Sequence, residues 1–112
     1  MISTTEITEE LKSHPILRHA PSLLKRWKGN QARLFNLSEN HRKIQLRISE
    51  DRYQNDISCL LISMHEPITM KGSFDWDNAD IEIEYHDTYY KVVDAENHFE
   101  ITCNNVSITE GK

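Results

Sequence analysis

Glycine is scarce in this chain, with three in 112 residues. The clustered glycines of a P-loop, a dinucleotide-binding turn or a nucleophile elbow are therefore missing, and phosphate-cradling chemistry goes with them. Cysteine is nearly absent too. Cys59 lies in the apolar run ISCLLISM and Cys103 follows FEIT. Without a C-x-x-C pair, both read as strand residues in a reducing compartment, not as a disulfide framework or a structural zinc site. An apolar strand raises a thiol's pKa, so Cys59 reads as a core residue and not a nucleophile. The six histidines, His14, His19, His41, His65, His86 and His98, are scattered and form no H-E-x-x-H.

No apolar run approaches the ~20 residues that cross a bilayer. The opening MISTTEITEELKSH has neither a basic nor an apolar leader region, which sets the expectation of a soluble, cytoplasmic protein without membrane contact. Hydrophobic residues make up 38% and charged residues 28%, an ordinary globular composition. This length predicts a single domain spanning 1–112, with a helical segment over 1–30 and an antiparallel sheet over 31–110.

Ser3 and Glu6 have the spacing of a capping box, predicting a short helix from Thr4 to Ser13 that ends at Pro15. A second stretch places Ile16, Ala20, Leu23, Leu24 and Trp27 on one helical stripe. Pro21 predicts two short segments or a kink there, and Gly29-Asn30 a stop.

From Gln31 onward the apolar repeat changes from helical spacing to strict alternation. Ile44, Leu46 and Ile48 alternate with Lys43, Gln45 and Arg47; Ile81, Ile83 and Tyr85 with Glu82, Glu84 and His86; Phe99 and Ile101 with Glu100 and Thr102. Each pattern predicts a strand with one covered face and one wet face. ISCLLISM is apolar on both faces, as a central strand requires. Turns are expected at SENH, SEDRYQND, HDT and DAENH, and the longest loop over Glu66 to Asn78, which contains Pro67 and Gly72. In CNNVSI the alternation slips by one residue, which a hairpin at Asn104-Asn105 explains in preference to a bulge. The fold class that follows is α+β: short N-terminal helices packed on a curled, mostly antiparallel sheet of about six or seven strands.

The stretch SFDWDNADIEIEYHD concentrates six carboxylates, a histidine and a tryptophan. Asp75, Asp77 and Asp80 superficially match a calcium loop, but the sixth position is Asp80 where glycine is needed and the twelfth is His86 where glutamate is needed. On a strand, Glu82, Glu84 and His86 share a face, so a cation or an acid/base role there is a candidate. An alternating charged face is more commonly a solvated one, and no metal, cofactor or catalytic residue is assigned.

Charge is polarised along the chain. Between Lys12 and Arg47 nine basic residues accompany Glu39 alone, whereas between Asp75 and Glu100 nine acidic residues accompany Lys91 alone. The basic candidates for a partner surface are Lys25, Arg26, Lys28, Arg33, Lys43 and Arg47; the acidic ones are Asp80, Glu82, Glu84 and His86. A sequential meander should keep the 42–49 strand beside its chain neighbours and away from the 80–86 strand. The leading reading is a small non-catalytic binding module, an accessory, adaptor or inhibitor-type protein whose charged surfaces meet an unidentified protein or a second copy. One alternative is a small metal-dependent or hydrolytic enzyme built on Glu82, Glu84 and His86. The other is nucleic-acid binding through the basic 12–47 region, disfavoured by a pI near 5.6 and by only Trp27 and Phe35 as aromatics there.

Overall fold

The computed structural model describes residues 15–35, 42–51, 53–54 and 56–111. The expected Thr4–Ser13 helix and the SENH turn lie outside them. Among the described residues there is one helix, α1 (Pro15–Arg26), followed by seven strands: β1 (Gln31–Phe35), β2 (Lys43–Ser49), β3 (Cys59–Lys71), β4 (Asp75–Trp76), β5 (Glu82–His86), β6 (Tyr89–Asp94) and β7 (Phe99–Gly111). The strands form a single sheet in the order β4-β1-β2-β3-β7-β6-β5, antiparallel at every junction and curled into a half-barrel. The architecture is roughly α+β, with the sheet dominant.

Alternation decides which side of each strand is covered. Ile44, Leu46 and Ile48 of β2, Leu60, Ile62 and Met64 of β3, Val92 of β6 and Phe99 and Ile101 of β7 join one buried cluster. Helix α1 closes that cluster with its expected stripe: Ala20 and Leu24 are buried, while Ile16, Leu23 and Trp27 pack against it half-buried. Cys59 to Met64, the larger part of ISCLLISM, forms the apolar half of β3, the middle strand of the seven. Burial of large aliphatic side chains, at ~1.5–3 kcal/mol each, is the main force holding helix to sheet.

Four expectations need correction. Of the two alternatives at Pro21, the two short segments fall away, because helix α1 is one element that runs through Pro21. Proline removes the donor that would meet the Leu17 carbonyl and its ring crowds that carbonyl, a cost the helix bears because Pro21 stands on the exposed side and the apolar stripe anchors both halves. The loop expected over Glu66 to Asn78 is largely strand, because β3 continues to Lys71 and β4 begins at Asp75. Pairing of β2 with β3 ends at Lys43↔His65, so among the described residues Pro67 sits where β3 has only β7 beside it, next to a register shift between Pro67 and Thr69. CNNVSI is not a hairpin but the middle of the long strand β7. The slip from buried Cys103 to buried Val106 passes through exposed Asn104 and Asn105, and Asn105 pairs with His65, the neighbour of Glu66, whose φ is 54°. Finally, the outer face of β2 is not wet along its whole length. Arg47 is only 6% exposed; its guanidinium donates to Ser49 Oγ at 3.3 Å and to the Gln54 carbonyl, so Gln54, beyond the end of β2, is brought back against it.

Candidate functional site

The hairpin of β5 and β6 turns on Asp87-Thr88, where Asp87 takes φ 58°. Its register, from Glu82↔Val93 to His86↔Tyr89, places Ile83 against Val92 and Tyr85 against Tyr90 on the core side. Glu82, Glu84 and His86 consequently face outward. Strand β5 ends the sheet order, and among the described residues its only strand partner is β6.

Beside that edge runs α1. A groove of about 490 Å³ separates them, its helix wall made by Ala20, Pro21, Leu24 and Lys25, continued by Lys28 of the following turn, and its strand wall by residues 80–84. Its floor is apolar and its rim carries both signs of charge. Lys28 Nζ lies 3.7 Å from Asp80 Oδ2, with both side chains more than a third exposed, a bridge worth at most ~1 kcal/mol. A second hollow of about 620 Å³ lies on the other flank of α1, against Tyr90 and residues 105–108 of β7.

The groove's shape is fixed at one end by backbone bonds. The helix stops at Arg26, and Gly29, with φ 89°, lets the chain turn so that its N–H donates to the Ala79 carbonyl at 2.8 Å. Ala79 N–H returns a bond to the Asn30 carbonyl at 2.9 Å. From below, Asp94 organises the same segment. This carboxylate is fully buried and accepts from Trp76 Nε1 at 2.8 Å, Asp80 N–H at 2.9 Å, Asn97 Nδ2 at 2.9 Å and Asn97 N–H at 3.3 Å. The Trp76 ring packs on Phe99 with centroids 4.4 Å apart. A buried charge is tolerable only when hydrogen-bonded in this way.

On the outer face Glu84 Oε1 meets His86 Nε2 at 2.7 Å, and both side chains are about two-fifths exposed. The cleft walls include Glu82 and Glu84 but not His86. Lys91 of β6 stands opposite Glu84 and bonds Glu100 at 3.1 Å; Glu100 first and Glu84 after it hold the ammonium's pKa above its usual value. Among the described residues no group of three or more His, Cys, Asp and Glu side chains is arranged to hold a metal ion.

The ten residues singled out from sequence fall in several places. Asp80, Glu82, Glu84, Lys25 and Lys28 meet at the groove, and His86 lies just past it. Arg26 instead bonds Glu110 at 2.8 Å, sharing that carboxylate with Trp27 Nε1 at 3.0 Å. Arg33, Arg47 and Lys43 sit across the sheet on β1 and β2, with Arg33 between Asp75 and Arg47 and Lys43 opposite His65. Strands β3, β7 and β6 separate β2 from β5, as the meander argument requires. The basic residues therefore make no single face, and the acidic edge is opposed by Lys25 of the helix and Lys28 of the turn after it instead of by strand cations. Sequence reasoning missed the groove's apolar wall, since Ala20 and Leu24 read only as a core stripe and Pro21 only as a break or kink, and it missed Asp94, which read as a turn residue.

No helix among the described residues is long and apolar enough to cross a membrane. Comparison with protein-family models, curated proteins and solved structures returns no match.

Proposed function

We propose that this chain is a small non-catalytic interaction module that binds a basic protein segment through the acidic edge strand β5 and the groove beside it. The observation that carries this reading is a sheet-edge strand with alternate outward carboxylates bordering a concave, apolar-floored groove. Hydrolytic chemistry on Glu82, Glu84 and His86 would need the three around one enclosed substrate. The groove instead takes in Glu82 and Glu84 while the Glu84–His86 pair stands in water, which favours recognition over catalysis.

Complementary charge at an exposed rim contributes chiefly specificity and a salt-dependent association rate. The test is titration with poly-L-lysine, followed by calorimetry at low and high salt, using wild type and the double variant Glu82→Lys/Glu84→Lys. Association with wild type at low salt, lost near 1 M salt where the Debye length shrinks to ~3 Å, and lost in the variant, is expected. Binding that the double reversal leaves undiminished contradicts the reading, as does no binding at all.

A further inference from the structure

We propose, resting on the interaction-module reading, that the groove's occupant is an extended peptide segment of a partner protein that adds to β5 as a new strand and alternates basic with apolar side chains. Among the described residues β5 is laddered along one side only, through all five of its residues to β6. Alternate residues of an antiparallel strand turn their N–H and C=O away from the partner, and on the groove side of β5 these are the main-chain groups of Ile83, the geometry that strand addition uses for affinity while alternate side chains set specificity.

The alternation follows from the pleat. An added strand shares the faces of β5, so every second side chain points outward beside Glu82 and Glu84, within the ~5 Å of a cross-strand pair. The intervening side chains point inward, over Ile83 and against Ala20, Pro21 and Leu24 of the helix wall. Outward positions therefore call for lysine or arginine, and inward ones for aliphatic residues. Lys25 on the helix wall and Lys28 in the turn after it reinforce the rule, because a cation directed inward would meet them.

A second copy is the other obvious strand donor, and charge argues against it. Antiparallel pairing of β5 with itself about Glu84 sets Glu84 opposite Glu84, and parallel in-register pairing sets each carboxylate against its twin. Like charges directly opposite are destabilising.

The experiment compares three short synthetic peptides on the wild-type chain: one alternating lysine and valine, the same peptide N-methylated at alternate backbone amides, and one alternating glutamate and valine. Calorimetry gives affinities, and amide hydrogen exchange locates the contact. Binding of the lysine–valine peptide with slowed exchange in 82–86 is expected, with the methylated peptide at least ~10-fold weaker because its main-chain bonds are blocked. The glutamate–valine peptide should bind poorly to wild type and better to Glu82→Lys/Glu84→Lys. Equal affinity of the methylated and unmodified peptides overturns strand addition while leaving the charged-surface reading intact. If neither peptide nor poly-L-lysine binds, both fall. A wild-type dimer that protects the 82–86 amides without any peptide overturns the proposal, since a second copy then owns the edge.

Discussion

Replacing Asp94 with alanine removes the one acceptor shared by four donors from three residues, Trp76, Asp80 and Asn97. Trp76 Nε1 and Asp80 N–H bond it at 2.8 and 2.9 Å and the two Asn97 donors at 2.9 and 3.3 Å, and all four bonds are part-buried. Each orphaned buried donor costs ~1–3 kcal/mol, and with water replacing part of the loss the four give about 3–5 kcal/mol. That is a large part of the ~5–15 kcal/mol that holds a domain folded. Asp94→Asn keeps the volume and one oxygen but points an amide NH₂ at groups that are themselves donors, for about 2 kcal/mol. Denaturant melts of both variants measure this, with Glu96→Ala as the exposed control expected within ~0.5 kcal/mol of wild type. The indole N–H signal of Trp76 should move in both variants and stay put in the control. Asp94→Ala melting within ~0.5 kcal/mol of wild type would refute the assignment of Asp94 as the anchor of the 76–80 segment, and with it the account of how the groove's end is held.

Gly72→Ala should destabilise by at least ~1–3 kcal/mol. A Cβ there would meet the His98 carbonyl oxygen and Phe99 Cα at 2.9 Å in a backbone of φ 113°, whereas Gly29→Ala, with open space around it, should cost visibly less in the same melts. Leu24→Ala and Trp27→Ala should each cost about 2–5 kcal/mol, and a melt of either unchanged from wild type would mean the helix does not hold the sheet. Burial pushes the Cys103 thiol from its ordinary 9.0 up to about 11, against a smaller lowering by the Asn105 backbone. Its contribution to stability is then whole below pH 9.0, where both states keep the proton, and is lost between 9.0 and about 11 as only the unfolded chain ionises. Burial raises Tyr90 as well, with the same sign, so melts across this range should fall, and fall less steeply in Cys103→Ala.

The strands whose apolar residues alternate against one covered face were legible in sequence: Ile44 to Ile48, Ile81 to Tyr85 and Phe99 to Ile101 each occupy the side their spacing assigns. So were the tight turns at HDT and DAENH, whose short polar residues leave few other conformations. What failed to show was set by distant partners. Pro67 and the Asn104-Asn105 pair are local signals for loop and turn, yet β3 and β7 pair from Cys59↔Gly111 to Lys71↔Glu100 and carry both signals through as irregularities in long strands. Arg47 obeyed its alternation but not its expected solvation, because covering it depends on Gln54 returning to bond its guanidinium. Charge polarity was visible as a count and not as a map. Nothing in the spacing of Lys25 and Lys28 says that the helix docks beside the very strand that carries Glu82 and Glu84. Asp94 is the same case: its role exists only once Trp76, Asp80 and Asn97 converge on it.

The central claim is that β5 and its flanking groove are the binding surface, and amide chemical shifts during a titration test it most directly. Wild-type chain at low salt, titrated with the lysine–valine peptide, should show shifts concentrated in residues 80–86 and in the 20–28 stretch of the helix and the turn after it, vanishing in Glu82→Lys/Glu84→Lys. Shifts centred on β1 and β2, around Arg33 and Lys43, or a β5 untouched at saturating peptide, would contradict it.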